Sequence, residues 1–310
     1  MPMSVKFHFE FKKVARLKTQ ENGFYLKNEH APHVILIHGL TGTPNEIAFV
    51  SGFLNKKGYA TYSPRLANHD QPVEILKRSK WQDFYGSVRE AFLKIESTHT
   101  DQPIFVAGVC IGGLLSLCLA AEFPERIAGV SCLAPTLFYD GLNVPWYRCF
   151  LPLAYYTPLK YFFYFKEGPP YGIKNEALRK RVDAYYQNAD IHDLKEALQY
   201  GYPYIPVSLL YQQQLLIKHV IRQLPSIRVP VQLIHSEEDD AATVKNSELI
   251  RNRVGSKIKE LITVKNSYHL ISIDNDKIFV GQKMAEFFDR FSKQTCNDSK
   301  NISSHSVLPS

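Results

Sequence analysis

The 310-residue chain has no Cys-x-x-Cys pair, no glycine-rich phosphate loop, no internal repeat and no run of about 20 apolar residues. Each absence removes a class of function. Without metal-spaced ligands or a nucleotide motif, no metal and no cofactor is expected. Cysteine is scarce, with five residues (Cys110, Cys118, Cys132, Cys149 and Cys296). An odd number without regular spacing argues against a disulfide framework and suits a reducing, cytoplasmic setting. The N-terminal residues 1–10 alternate apolar and polar types, without the apolar core of a signal peptide, and read as an edge strand. Basic residues exceed acidic ones, 37 to 30, but form no basic stripe, so nucleic acid is not an expected partner. The net charge of +7 fits solvated faces, with attraction to anionic lipid or an acidic substrate as the alternatives.

What is present is a regular alternation of short apolar runs and amphipathic stretches. His33–Gly39 reads as a buried strand entering a glycine turn, and Pro44 opens a helix to about Lys57. Strands are expected at Tyr59–Ser63, Ile104–Ala107 and Ile127–Leu133, with a polar loop over Pro64–Val73 and a helix over Lys80–Glu96. The pattern breaks between Thr136 and Pro225, where Phe138–Tyr171 is crowded with aromatic residues. It resumes with strands at Val229–His235 and Ile258–Val264 and helices at Val244–Val254 and Lys277–Ser292. This order predicts an α/β fold, a doubly wound and mostly parallel sheet with an inserted helical cap. The expected divisions are a first core part over 1–135, an aromatic-rich cap over 136–225, a second core part over 226–292 and a disordered tail over 293–310.

Chemistry concentrates in Pro103–Gly113. Its apolar strand runs into Gly108-Val109-Cys110-Ile111-Gly112 and then into a helix, the strand–turn–helix context in which a nucleophile is presented at a sharp turn. Cys110 stands at the tip, where a helix N-terminus favours a thiolate. His269 follows a predicted strand end and is the natural base. The orienting acid comes from His235-Ser236-Glu237-Glu238-Asp239-Asp240. Asp239 and its near rivals Asp240, Glu237 and Glu238 all stand in this turn. His38 is expected to shape the loop after the first buried strand, and His235 to be a hydrogen-bonded core residue.

These motifs resemble the alpha/beta-hydrolase superfamily, and within it the bacterial carboxylesterases and monoacylglycerol lipases. The likeness rests on His38-Gly39-Leu40-Thr41-Gly42, the Gly108–Gly113 elbow, Val229–Asp240 and Asn266–Asp274. It implies a Cys110–His269–Asp239 triad and an oxyanion hole made by the backbone N–H groups of Leu40 and Ile111. It also selects Asp239 within its acidic turn.

Cysteine departs from the usual serine and is similar to the dienelactone hydrolases and polyhydroxyalkanoate synthases, which carry Cys at this elbow. The expected activity is hydrolysis of carboxylic esters or thioesters with an apolar acyl or alcohol part, through a covalent acyl-enzyme. Two alternatives stand beside it. One is an acyltransferase passing an acyl group from a thioester to a lipid or polymer acceptor; the other is a non-catalytic ligand-binding homologue. The expected partner is a small apolar ester or thioester. Peripheral membrane contact through the cap is a further reading of its aromatic residues, and the oligomeric state is left open.

Overall fold

The computed structural model describes residues 23–188 and 201–303. The edge strand expected over residues 1–10 lies outside these. In chain order the first part of the core comprises β1 (Gly23–Leu26), β2 (His33–Ile37), α1 (Asn45–Lys56), β3 (Ala60–Pro64), α2 (Val73–Leu76), α3 (Trp81–Thr98), β4 (Ile104–Val109), α4 (Ile111–Glu122) and β5 (Ile127–Leu133). The insertion carries α5 (Leu151–Tyr155), β6 (Tyr164–Lys166), α6 (Glu176–Asn188) and β7 (Tyr204–Pro206). The chain then continues through α7 (Val207–Gln223), β8 (Val231–Ser236), α8 (Lys245–Arg253), β9 (Lys259–Val264) and α9 (Lys277–Ser303).

Seven strands form one sheet in the order β1-β3-β2-β4-β5-β8-β9. Only β1 runs antiparallel to its neighbour. The central strands read as unbroken apolar runs because both of their faces are covered. In β2, Ile35 and Ile37 enter the core beneath α3, α4 and α7, while Val34 and Leu36 enter the one beneath α1 and α9. In β4, Ile104 and Val106 point to the first core, and Phe105, Ala107 and Val109 to the second. Phe105, Phe287 and Phe288 are fully buried there, each contributing roughly 1.5–3 kcal/mol by leaving water.

Two boundaries differ from the sequence-based expectation. Helix α7 packs on α4 and α3, and its Leu209, Leu216 and Val220 are wholly buried in the first core. The inserted cap therefore gives way to core at Val207 and not at 225, because the apolar face of α7 covers the sheet. Helix α9 runs to Ser303, past the expected start of the tail at 293, since no glycine or proline interrupts the sequence after Gly281 until Pro309. Within the cap, β6 and β7 pair antiparallel, a small ribbon that was not anticipated. Among the described residues, no helix is long and apolar enough to cross a membrane.

Candidate active site

All the sequence-selected residues arrive at one edge of the sheet, beyond the carboxyl ends of its parallel strands. Cys110 joins β4 to α4 with φ 56° and ψ −119°, a conformation rarely adopted by a residue with a side chain. The flanking glycines permit that turn. A Cβ on Gly108 would lie 2.3 Å from the Gly112 carbonyl carbon, and one on Gly112 would lie 2.3 Å from the Ile37 oxygen. The Cys110 N–H is held by the Leu133 carbonyl at 2.9 Å, and its Sγ lies 3.4 Å from Thr136 Oγ1.

Asp239 follows β8 and His269 follows β9. Asp239 Oδ2 lies 2.8 Å from His269 Nδ1, while its Oδ1 accepts the backbone N–H groups of Ala241 and Ala242 at 2.9 and 2.8 Å. Asp240 stands aside. It accepts the His269 backbone N–H at 3.3 Å and the Asn143 side-chain amide at 3.0 Å, so it is not the carboxylate at the imidazole. Glu237 bonds Thr263 and Glu238 bonds Lys174, both toward solvent.

The electrostatics follow from burial and pairing. Burial would lower the His269 imidazole, but the Asp239 carboxylate, and then the neighbouring Cys110 side chain, hold it well above its ordinary value. Burial would raise Asp239. Its two histidine neighbours, His269 and His235, outweigh this and hold it well below the usual carboxylate range. His235 thus does more than pack. Its Nε2–H faces both the Ala242 carbonyl at 2.7 Å and Asp239 Oδ2 at 3.2 Å, and Ser247 occupies its Nδ1 at 2.8 Å.

The loop after β2 is clamped at successive peptides. His38 Nδ1–H donates to the Gly39 carbonyl at 2.9 Å, and His69 Nε2–H donates to the Leu40 carbonyl at 2.7 Å. The Tyr202 N–H donates to the Thr41 carbonyl at 2.9 Å, and the Gly39 N–H donates to Glu46 Oε2 at 2.8 Å. Burial lowers both His38 and His69, and the other ring nitrogen of His69, Nδ1, faces the Ala67 carbonyl at 3.1 Å. The N–H groups of Leu40 and Ile111 have no hydrogen-bond partner among the described residues.

Sequence reasoning missed several of these groups. His69 lies in what reads as a polar loop, and its distance from Leu40 along the chain leaves no local signal. Glu46 looks like an acidic residue in the first turn of a helix, and Glu167 like a cap surface residue. Both line the cavity that opens onto Cys110 and His269. That cavity has a volume of about 1310 Å³, with aromatic walls from Phe138, Tyr139, Tyr155, Phe165, Tyr171 and Tyr186. Among the described residues, no group of three or more His, Cys, Asp or Glu side chains is arranged to hold a metal ion.

Comparison with known proteins bears on the family and the fold. The chain is 27% identical over 265 residues to a thermostable monoacylglycerol lipase from Bacillus sp., covering 86% of this chain and 93% of that protein. It is 24% identical over 258 residues to a carboxylesterase of Bacillus subtilis, covering 83% and 92%. A solved structure from work on two metagenome-derived lipolytic enzymes superposes with a TM-score of 0.68 at 26% identity, covering 86% of this chain and 97% of that one. Residues 28–276 match the family described as serine aminopeptidase, S33. The chain belongs to that hydrolase family and has the alpha/beta-hydrolase fold.

Proposed function

We propose that the protein is a carboxylic ester hydrolase that works through Cys110, His269 and Asp239 and acts on esters or thioesters with an apolar acyl or alcohol part. The observation that carries this reading is the chain of contacts Asp239–His269–Cys110 at the floor of an aromatic cavity, beside a clamped loop with an open N–H. The Cys110 sulfur attacks the substrate carbonyl carbon while His269 Nε2 holds the thiol proton. The oxyanion is received by the N–H groups of Leu40 and Ile111. His269 returns the proton to the leaving alcohol, which departs, and Cys110 is left as a thioester. Water, deprotonated by His269, then releases the acid and restores the thiol.

The names of the relatives support ester cleavage, and the thiol extends the reading to thioesters. The cytoplasmic placement is supported by the free Cys110, Cys118, Cys132 and Cys149 among the described residues. Hydrolysis of p-nitrophenyl esters by the wild type and by Cys110→Ala, read with intact-mass detection of an acyl adduct, tests the assignment. A mass increase on the wild type, absent in the variant together with turnover, is expected. Equal rates in the two proteins would remove Cys110 from the mechanism.

A second reading concerns where the substrate is met. The outer face of the cap exposes large apolar side chains in sequence, with Leu142 at 99%, Trp146 at 79%, Leu153 at 71% and Phe162 at 73%. Lys160 and Lys166 accompany them, and Arg148, Cys149 and Pro152 of the same segment line the cavity. Such a surface suits shallow docking on anionic lipid beside the cavity mouth.

A further inference from the structure

Two carboxylates in the cavity are not used by the chemistry above. Glu46 projects from α1 and Glu167 follows β6, and both are tied to one loop. Glu46 Oε2 accepts the Gly39 N–H at 2.8 Å, and Glu167 Oε1 accepts the Thr41 hydroxyl at 3.2 Å. No donor among the described residues reaches the second oxygen of either group. Arg148, Lys166 and Arg181 also line the cavity, but none forms an ion pair with either carboxylate.

Two aromatic rings share this corner. Tyr171 and Tyr186 stand edge to face with centroids 5.1 Å apart, and both line the cavity. The Tyr171 hydroxyl donates to Asp183 at 2.6 Å. Tyr186 is only 5% exposed, and its hydroxyl has no hydrogen-bond partner among the described residues. Burial is the main cause that raises both hydroxyls, with Glu167 and then Glu46 adding to it at Tyr186, and Asp183 and then Glu167 at Tyr171; all four groups line the same cavity.

We propose that Glu46, Glu167, Tyr171 and Tyr186 form a subsite for an organic ammonium group carried by the substrate. Carboxylates and tyrosine faces are the two kinds of group that attract a cation too apolar to hold its water. Burial pushes both carboxyls up to about 7, with Glu46 adding to the rise at Glu167, and the positive group acting on both is the His269 imidazole. A neutral hydroxyl would add hydrogen bonds but bring no charge to the second oxygen of either carboxyl, which has no donor among the described residues. A single ammonium relieves both at once. The ammonium could arrive on the alcohol or on the acyl part of an ester. The inference rests on the ester-hydrolase reading only for the identity of the molecule that carries the charge.

The test compares cationic esters with their isosteres. On the alcohol side the pair is butyrylcholine and 3,3-dimethylbutyl butyrate. On the acyl side it is the methyl esters of 4-(trimethylammonio)butanoate and 5,5-dimethylhexanoate. In one of the two arms kcat/KM is expected to favour the cation by about tenfold, as a desolvated cation beside rings and carboxylates would give. The ratio should collapse toward one in Glu46→Gln and in Glu167→Gln, which keep an acceptor for Gly39 and Thr41. A ratio near one in both arms of the wild type, or a preference that survives both substitutions, overturns the subsite while leaving ester hydrolysis in place. Binding is measured separately as the rise in Tm with choline or with 3,3-dimethylbutan-1-ol. A rise specific to choline, lost in the doubly substituted protein, supports the subsite even if no ester is turned over. An equal response to both ligands overturns it.

Discussion

His69 Nε2–H donates to the Leu40 carbonyl at 2.7 Å, joining the loop before α2 to the loop after β2. The bond fixes the Leu40–Thr41 peptide from its oxygen, next to the Gly39–Leu40 peptide that carries the Leu40 N–H and whose carbonyl His38 holds. Preorganised donors matter because they need no reorganisation as charge develops. His69→Ala is expected to lower kcat by roughly 10- to 100-fold with little change in KM, and His69→Gln to restore part of it. Steady-state kinetics on one p-nitrophenyl ester checks this; a change confined to KM would show that the bond shapes binding and not the reacting centre.

Asp239 sets the proton affinity of His269. With the carboxylate ionised the imidazolium is favoured, so neutral imidazole accumulates only as pH climbs above the ordinary histidine range. Replacing Asp239 by Asn removes that charge. The acid limb of the kcat/KM profile should move to lower pH while the rate itself falls by about 10³–10⁴-fold. A limb that stays in place would mean that another group governs it.

Glu46 and Glu167 tie stability to pH with the opposite sign from Asp239. Their carboxyls are raised from 4.5 to about 7 in the folded protein, first by burial. A raised value favours the protonated folded form, so this contribution is full below about pH 4.5 and is lost as pH climbs through 7. Asp239, held low, contributes stability that is present at neutral pH and is lost only in acid. Glu167→Gln should therefore raise Tm relative to the wild type at pH 8 by more than at pH 5. Thermal melts at the two pH values decide it, and an equal difference at both would show that Glu167 is not the titrating group.

The cap surface makes a separate prediction. Sedimentation with vesicles containing anionic lipid should retain the wild-type protein, and the double change Trp146→Ser, Phe162→Ser should reduce the bound fraction several-fold. Binding should also weaken as salt rises, because screening over about 10 Å at 0.1 M diminishes the contribution of lysines at the rim. Binding that ignores both the substitutions and the salt would place the contact elsewhere.

The parts legible in the sequence are those with short-range signatures. β2 and β4 announce themselves as apolar runs because both their faces are buried, and the Cys110 turn does so through glycines that no Cβ could replace. Asp239 and His269 each follow a strand, so chain order alone brings them near Cys110. Glu167 and His69 carry no such mark, since their partners Thr41 and Leu40 lie far away in sequence. β6 and β7, three residues each, are too short for a period-2 pattern to stand out. The cap boundary at Val207 escapes notice for a different reason. An amphipathic helix looks the same whether its apolar face meets a cap or a sheet.

The backbone at Cys110 has a consequence of another kind. Its φ of 56° is imposed by neighbours on both sides, so the turn delivers whatever side chain stands there to the same point in space. Serine and cysteine codons can differ by a single base. The scaffold therefore behaves as a mount with an exchangeable tip, able to present an oxygen or a sulfur at one point without redrawing the framework around it.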